Sequence, residues 1–327
     1  MSDSQRLIPI IESLASAVIA CVGDVMLDAF VYGEVSRISP EAPVPVLGIQ
    51  RSNSMLGGAG NAARNISSLG SKVWLFAATG DDAAAEQIGQ LLEVLSGARR
   101  FLARDTARQT SVKTRYVAHG QQLLRTDSET TAPLSPQSAS DLLAAFQAAL
   151  PECSAALICD YAKGVLNGAA AQAFIGAARR AGKPVVVDPK GRDFSRYRGA
   201  TVIKPNLKEL GEATGLPVFE DRAQELAARR LLVETEAEHI LLTRGPAGMM
   251  LVSANGVVAR VPALAREVYD VSGAGDTVAA VLAAGLGSGA SLLDAMELAN
   301  IAAGIVVGKT GTATVEPREM VNEVGRA

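Results

Sequence analysis

Short apolar runs alternate along the chain with longer segments in which apolar residues recur at helical spacing. The short runs are rich in Val, Ile, Leu and Ala, which is typical of strands buried on both faces. These predicted strands are residues 18–22, 73–77, 156–159, 185–187, 201–203 and 240–243. The predicted helices between them include residues 61–69, 83–95, 138–150 and 170–181. This alternation predicts an α/β fold in which helices cover both faces of a mostly parallel sheet.

Two segments depart from the alternation. Residues 29–50 contain two predicted strands around a proline-rich turn, and residues 110–127 form a predicted hairpin. No helical pattern separates these strands, so they predict a small antiparallel sheet that projects as a lid from a single domain spanning residues 1–327. One face of such a sheet needs a cover, either substrate or a second subunit. We therefore expect a homodimer that forms through the lid.

Composition narrows the function classes. The 327 residues suffice for one large domain, and the net charge of −3 gives no basic surface of the kind that binds nucleic acid. With only two histidines a histidine-rich zinc site is excluded, and the three cysteines are expected to be core thiols. Neither a signal peptide nor an apolar run long enough for a membrane span is evident. We expect a cytoplasmic protein without a nucleic-acid or membrane partner.

Polar side chains follow most of the predicted strands, where ligands bind in parallel α/β sheets. They are Asp24, Asp160, Asp188, Asn206 and Arg244.

The most informative segment is a late glycine turn. Gly273, Ala274 and Gly275 have little or no side chain, and a helical pattern follows at once. Such a turn presents free backbone N–H groups and the positive end of the helix dipole to an anion. Asp276 lies at the mouth of this site, where a carboxylate is suited to take a proton from an attacking hydroxyl. The segment predicts phosphoryl transfer to an alcohol; taken alone, it also fits an ordinary helix with an acidic first turn.

Together with the earlier segment 57–63, this motif resembles the ribokinase-like (PfkB) sugar kinase family over essentially the whole chain. The resemblance implies a three-layer α/β/α fold, a β-sheet lid, and transfer from ATP with Mg²⁺ to a sugar hydroxyl. Within the family, residues 23–28 and 36–46 are similar to the branch that phosphorylates D-glycero-β-D-manno-heptose 7-phosphate at C1, in the route to ADP-heptose and lipopolysaccharide. Many of these kinases are fused to a nucleotidyltransferase domain. This chain ends at Ala327, about where the kinase fold should end, so the resemblance leads us to expect the stand-alone form.

The resemblance implies a role for each residue of the late motif. Asp276 matches the catalytic base, and Gly273, Ala274 and Gly275 match the backbone anion hole. Ser272, on the nucleotide side, stands where much of the family has Thr and keeps the hydroxyl.

The sugar side is matched by four residues. Asp28 corresponds to the acceptor of sugar hydroxyl protons, which suits a carboxylate facing a diol. Gly57 and Gly58 would let the backbone approach the sugar, and Asn61 would hydrogen-bond its hydroxyls. The alternatives are a surface charge for Asp28 and a plain turn with an Asn cap for the others.

A sugar phosphate also requires cations at its far end. Lys163 is the first candidate because it follows a strand end, and Asp160 in the same segment is a further predicted substrate contact. Each of the other candidates is a surface charge if taken singly, but we expect at least two cations to reach the phosphate. These candidates are Arg37, Arg108, Lys113 and Arg115.

The nucleotide side is matched by a second set. Asn206 and Glu209 correspond to an element that organises Mg²⁺ through its waters, although an Asn cap with Glu three residues later fits the same spacing. Lys190 is a candidate for the ATP phosphates. The family's nucleotide loop and adenine contact are matched by Thr243, Gly245, Gly248 and Asn300.

The resemblance also allows a K⁺ ion near the Asp270 loop. The competing functions are a kinase of another sugar or sugar phosphate, such as ribose or fructose phosphate, and a nucleotide-binding regulator without catalysis. Intact Asp276 and an intact glycine turn argue against the regulator, and the number of cations at the far end of the sugar site separates the two kinases.

Overall fold

The computed structural model describes residues 3–264 and 268–326, and its strands form two separate sheets. The predicted end of the fold at Ala327 lies outside the described residues. The strands are β1 (Val18–Gly23), β2 (Val25–Ile38), β3 (Pro45–Gly58), β4 (Lys72–Thr79), β5 (Ala98–Arg104), β6 (Ser111–Ala118), β7 (Gln121–Ser128), β8 (Ala155–Cys159), β9 (Val185–Asp188), β10 (Val202–Ile203), β11 (His239–Thr243), β12 (Met249–Ser253) and β13 (Gly256–Val261).

The larger sheet has nine strands in the order β13-β12-β11-β10-β9-β8-β1-β4-β5. All pairings from β11 to β5 are parallel, and β12 runs antiparallel to both of its neighbours. β8 is buried throughout and β1 is buried after its first residue, Val18, as continuous apolar runs predict. The prediction of a mostly parallel sheet is therefore confirmed.

Helices cover the large sheet on both faces. They are α1 (Ile8–Ser13), α2 (Ala59–Ser68), α3 (Ala83–Glu93), α4 (Pro136–Ala149), α5 (Ala170–Arg180), α6 (Leu207–Thr214), α7 (Asp221–Thr235), α8 (Ala274–Gly287), α9 (Leu292–Val306) and α10 (Pro317–Val324). One apolar core lies under α1, α2, α3, α8, α9 and α10, and the other under α4 to α7. This three-layer α/β/α arrangement places the N-termini of α2 and α6 beside the carboxyl ends of the strands, since α2 begins next to Asp24 after β1 and α6 begins just after β10.

The smaller sheet has the order β3-β2-β6-β7. Each hairpin is antiparallel, as predicted, but β2 and β6 pair in parallel, so the sheet is mixed. The physical reason is that β2 follows β1 and β6 comes after β5, two strands of the large sheet that point the same way. The first strand of each hairpin therefore leaves the domain in the same direction.

None of the helices in the described ranges combines the length and the apolar character that a bilayer crossing requires.

Candidate active site

The N-terminus of α8 forms the centre of the site. Gly273 precedes the helix with φ 81° and ψ −3°, a left-handed conformation that glycine adopts without strain. A Cβ at this position would also lie 3.0 Å from the side-chain nitrogen of Asn61. The helix begins at Ala274, so its first-turn N–H groups lack intrahelical acceptors and can bind an anion. The predicted glycine turn onto a helix N-terminus is therefore present.

Asp276 is the third residue of α8 and receives two side-chain hydrogen bonds. Asn61, in the first turn of α2, donates from Nδ2 to Asp276 Oδ2 at 2.5 Å. Tyr161, in the loop after β8, donates its hydroxyl to Asp276 Oδ1. Asn61 is 1% exposed, and its Oδ1 is a buried acceptor without a partner among the described residues. An unpaired buried acceptor beside a carboxylate is a suitable contact for a substrate hydroxyl.

The electrostatics of the site suit a base that works near neutral pH. Burial raises the pKa of Asp276 to about 6, and the nearby Asp188 carboxylate acts in the same direction. The hydrogen bonds from Asn61 and Tyr161 and the charge of Lys204 oppose the increase. A carboxylate with this pKa is ionised at pH 7 and is a stronger proton acceptor than an ordinary Asp.

A buried ion pair lies beside the helix N-terminus. Lys204 is 3% exposed and its Nζ lies 2.9 Å from Asp188 Oδ1. Burial opposes the charge of Lys204, but Asp188 keeps the pKa of the ammonium above its usual value. A Cβ at Gly275 would lie 3.5 Å from Lys204 Nζ, so this cation is next to the anion site. The site therefore combines backbone N–H groups with a fixed positive charge.

Asp28 and Gly57 lie side by side on β2 and β3. Asp28 is 7% exposed, and Arg115 of β6 donates to its Oδ1 at 2.6 Å. A Cβ at Gly57 would overlap the Asp28 carboxylate, which explains why the position lacks a side chain. Gly58 has φ 58° and immediately precedes α2, which carries Asn61. The structure thus brings the predicted sugar-side residues together, with Asp28 of β2 against Gly57 and with Asn61 against Asp276 of α8.

Two buried carboxylates, Asp24 and Asp160, accept hydrogen bonds from backbone N–H groups of the loop after β8. Asp160 is buried and accepts hydrogen bonds from Ala162, Tyr197 and Arg196. Burial raises the pKa of Asp160 to about 6, although Arg196 opposes this. None of these contacts joins Asp160 to Asp276, and a direct contact with substrate remains a prediction.

Three of the predicted cations form one cluster. Glu129 pairs with Lys113 at 2.9 Å and with Lys163 at 2.8 Å, and Lys113 also pairs with Asp127. Arg108 donates to the Lys163 carbonyl oxygen, and its Nη1 is buried without a partner among the described residues.

The other two candidates lie apart from this cluster. Arg115 pairs with Asp28, and Arg37 is exposed near the far end of β2.

A cavity of about 750 Å³ extends from the N-terminus of α8. Its wall combines small and apolar side chains with a few polar groups, as is typical of a nucleotide pocket. Lys204, Ala274 and Gly275 line its inner end. Five of the predicted nucleotide-side residues also line it, namely Asn206, Thr243, Gly245, Gly248 and Asn300. The amide of Asn300 is held by a 2.8 Å hydrogen bond to the Pro262 carbonyl oxygen.

Asn206 and Glu209 form the capping box that their spacing allows. Asn206 Oδ1 accepts from the Glu209 N–H at 2.9 Å, and Glu209 Oε2 accepts from the Asn206 N–H at 3.0 Å. Glu209 Oε1 also pairs with Lys190 at 3.2 Å. Ser272 lies outside the cavity wall, and its N–H donates to Asp270 at 2.8 Å. Lys190 and Glu209 are thus neighbours of the cavity residue Asn206.

Sequence reasoning did not assign three residues that contact the centre of the site. They are Tyr161, Lys204 and Asp188, of which the sequence pattern had marked only Asp188, as a polar residue at a strand end. Asp188 ends β9, and Tyr161 and Lys204 come just after β8 and β10, so the strand ends were the available signal. Their partners lie far away in the chain, so the contacts themselves carried no local pattern.

Comparisons with known proteins identify the family. Residues 16–319 match the pfkB family carbohydrate kinases. A relative from Rhodospirillum rubrum, named Bifunctional protein HldE, is 50% identical over 324 residues, which is 99% of this chain and 65% of the relative. A relative of the same name from Caulobacter vibrioides is 47% identical over 321 residues, 98% of this chain and 65% of its own. The chain therefore spans about two thirds of the length of these relatives.

Solved structures show the same fold at low sequence identity. Arabidopsis thaliana ribokinase complexed with ribose and ATP superposes with a TM-score of 0.72 at 18% identity, covering 94% of this chain and 98% of the ribokinase. The tetrameric inhibited form of Escherichia coli phosphofructokinase-2 gives 0.76 at 17% identity, covering 95% and 98%. The family match over residues 16–319 and the relatives that match nearly the whole of this chain establish that the chain belongs to the pfkB family of carbohydrate kinases.

Proposed function

We propose that this sugar kinase transfers the γ-phosphoryl group of ATP to the C1 hydroxyl of D-glycero-β-D-manno-heptose 7-phosphate. The product would be heptose 1,7-bisphosphate, on the route to ADP-heptose and the lipopolysaccharide core. The observation that carries the proposal is the position of Asp276 in the first turn of α8, directly after Ala274 and Gly275, which line the 750 Å³ cavity together with Lys204. The choice of heptose rests on residues 23–28 and 36–46, which resemble the heptose phosphate branch of the family.

The chemistry follows from this geometry. The C1 hydroxyl attacks the γ-phosphorus, the bond to the β–γ bridging oxygen breaks, ADP leaves, and the hydroxyl proton passes to Asp276. The first-turn N–H groups of α8 and the ammonium of Lys204 stabilise negative charge on the transferred group. An anomeric hydroxyl is more acidic than other sugar hydroxyls, so a carboxylate with a pKa of about 6 is an adequate base.

The cation cluster favours a phosphorylated sugar over a neutral one. Lys113 and Lys163 share Glu129, and the guanidinium of Arg108 lies against the Lys163 backbone. A distal phosphate would replace Glu129 as the partner of these two lysines and could reach the unpartnered Nη1 of Arg108. A neutral sugar such as ribose requires no such group. Fructose phosphate remains the alternative within the same chemistry.

Asn206 and Glu209 would bind magnesium through its coordinated water molecules and not directly. Both side chains are engaged in the capping box, and Glu209 also pairs with Lys190. Each of these oxygens keeps a lone pair for a metal-bound water, which suits an ion that retains most of its waters. Magnesium bound with ATP would neutralise phosphate charge. Potassium near Asp270 remains a proposal; in the structure the Asp270 carboxylate accepts from the Ser272 and Gly311 N–H groups.

A homodimer through the small sheet is part of the proposal. Ile38, Ile49 and Leu124 of this sheet are exposed large apolar side chains, and such a surface favours a partner. Sedimentation of a dimer at micromolar concentration is expected, and monomer alone would contradict it.

The first test of the kinase mechanism is Asp276→Asn. We expect turnover to fall by about 10²–10⁴-fold because the general base is lost, while ATP affinity measured by calorimetry stays within a factor of about three. The matched control is Asp141→Asn, an exposed residue of α4, which should leave both quantities unchanged. Wild-type turnover by Asp276→Asn with intact ATP binding would remove Asp276 as the base. ATP binding without any sugar phosphorylation by the wild-type chain would favour the regulator.

A further inference from the structure

Both carboxylate oxygens of Asp276 are held, each by a donor from a different element. Asn61 reaches Oδ2 from α2, and the Tyr161 hydroxyl reaches Oδ1 from the loop after β8. Two donors from opposite sides fix the plane of a carboxylate, which one donor alone does not. The orientation of the base therefore depends on Tyr161 as much as on Asn61.

The position of Tyr161 is itself fixed. Its backbone N–H donates to Asp24 Oδ2 at 2.9 Å, and the same carboxylate accepts from Lys163 and Val165, each at 3.0 Å. Asp24 is 1% exposed, so these bonds form in a poorly solvated place. The ring of Tyr161 packs beside Gly58, where a Cβ would lie 3.4 Å from Cδ2. The hydroxyl is thus presented by a loop with little freedom to move.

The hydroxyl of Tyr161 acts only as a proton donor toward Asp276. Burial, together with the negative charge of Asp276, raises the pKa of Tyr161 well above its usual value. The phenol therefore keeps its proton at neutral pH. Its hydrogen bond stabilises the ionised form of Asp276 and opposes the effect of burial.

We propose that Tyr161 is a positioning residue for phosphoryl transfer, whose hydroxyl fixes the orientation of Asp276 and favours its carboxylate over the carboxylic acid. This inference rests on the proposed role of Asp276 as the base. Three other titratable groups face Asp276 from the ends of β8, β9 and β10, and they do not hydrogen-bond to it. Cys159 is a buried thiol, and Asp188 and Lys204 pair with each other. Among the described titratable side chains, only Tyr161 donates a hydrogen bond to Asp276.

The direct test is a ¹³C NMR titration of the Asp276 carboxyl in the substrate-free protein, with its resonance assigned by its loss in Asp276→Asn. In the wild type the midpoint should lie at a pH of about 6. Tyr161→Phe should raise it by about one unit because a hydrogen bond to the ionised form is lost. Tyr32→Phe, which removes a tyrosine hydroxyl from the small sheet, should leave the midpoint unchanged.

A second readout is the pH profile of kcat/KM for the sugar, which reports the pKa of the base in the free enzyme. In Tyr161→Phe the acid limb of this profile should move to higher pH by the same amount as the NMR midpoint, with the KM for ATP unchanged. Replacing Tyr161 with 3,5-difluorotyrosine keeps the packing and strengthens the donor, so it should move the midpoint downward even if Tyr161→Phe folds poorly. Unchanged midpoints in both variants would overturn the inference. Because the NMR titration needs no sugar, it remains decisive if the heptose phosphate proves not to be the substrate.

Discussion

Asp276 combines a catalytic requirement with a cost to the fold. Its side chain is only partly exposed, and burial raises the pKa of the carboxyl to about 6 in the folded protein. The folded state therefore prefers the protonated acid more strongly than the unfolded chain does. At neutral pH the group is nevertheless ionised, as a base must be. The ionised carboxylate thus lowers the stability of the protein, although the proposed mechanism requires the ionised form.

This conflict predicts that Asp276→Asn stabilises the protein while it inactivates it. The carboxyl of Asp276 has a pKa of about 6 in the folded protein and about 4 in the unfolded chain. Its ionisation therefore lowers the free energy of unfolding progressively between pH about 4 and about 6, and by a constant amount above that. At pH about 7.5 the variant should gain about 1–2 kcal/mol in free energy of unfolding, less than the full shift implies because the side chain is partly exposed.

Urea denaturation across pH measures this gain, which should disappear near pH 4. Asp141→Asn, at an exposed position of α4, is the control and should show no pH-dependent gain. A gain of equal size at pH 4 and at neutral pH would contradict the explanation.

The glycine turn and the helix that begins at Ala274 could be predicted from sequence because their signal is local, whereas the role of Asp276 as the base stays a prediction. Gly273, Gly275 and Asp276 lie within four positions of one another, and the helical pattern follows immediately. Tyr161 and Lys204 carry no comparable signal because each meets Asp276 or its helix only after strands far apart in sequence lie side by side. The orphaned Oδ1 of Asn61 is likewise visible only in three dimensions.

At the scale of elements, the junction between α2 and α8 holds the site together. Thr277 donates to Asn65 Oδ1 at 2.8 Å, and Asn65 donates to the Asn61 carbonyl oxygen at 2.9 Å. This chain of bonds joins the first turns of the two helices inside the core. Movement of one helix start is therefore transmitted to the donor that holds Asp276.

Gly273→Ala should disturb this junction. Its φ of 81° costs an Ala about 1–2 kcal/mol, and the new Cβ would lie 3.0 Å from Asn61 Nδ2. We expect a loss of about 1–2 kcal/mol in free energy of unfolding together with at least about a tenfold loss of kcat, since a small misplacement of a catalytic group is costly.

The control for this prediction is Gly289→Ala, which has a φ of 90° but no atom within 4 Å of the new Cβ. It should lower stability by a similar amount and leave kcat unchanged. If both variants lose activity equally, backbone strain alone explains the result, and the contact with Asn61 has no special role.

Elements with strong apolar runs were predictable, and edge elements were not. The predicted strand at residues 18–22 corresponds to β1, and the predicted helix at residues 170–181 corresponds to α5. β5 was not predicted because it is an edge strand with three arginines, and only Ala103 within it is buried. β12 is an exception, because its apolar residues Met249–Val252 are buried and yet the strand was not predicted. It forms a hairpin with β13, the strand at the opposite edge. Edge strands need less apolar sequence, which weakens the pattern that sequence reasoning depends on.

At the scale of the whole molecule, the small sheet brings charged side chains to the loop after β8, on the predicted sugar side of the site. Lys113 comes from β6, Lys163 from the loop after β8, and Glu129 from the chain just after β7. Hydrogen bonds to Lys113 and Lys163 oppose burial and hold the pKa of Glu129 below its usual value. The members of this cluster come from both sheets, so they are neighbours only because the strands of each sheet pair as they do. The parallel pairing of β2 with β6 was not predicted, because no local pattern encodes it.

Lys163→Gln tests whether this cluster binds the distal phosphate. Loss of a charge-assisted hydrogen bond to a phosphate should raise the KM for heptose 7-phosphate by about 10–100-fold, with the KM for ATP unchanged. Lys72→Gln, at an exposed position of β4, is the matched control and should change neither value. A rise in the KM for ATP instead would move Lys163 to the nucleotide side.

The most direct measurement is ³¹P NMR of the product formed from Mg-ATP and D-glycero-D-manno-heptose 7-phosphate, with ribose and fructose 6-phosphate in parallel reactions. If the protein is the proposed heptose phosphate kinase, a new anomeric phosphate signal, together with ADP, appears only in the heptose reaction. Phosphorylation of ribose or fructose 6-phosphate with no anomeric signal from the heptose would contradict this proposal, although the fold and the role of Asp276 would stand.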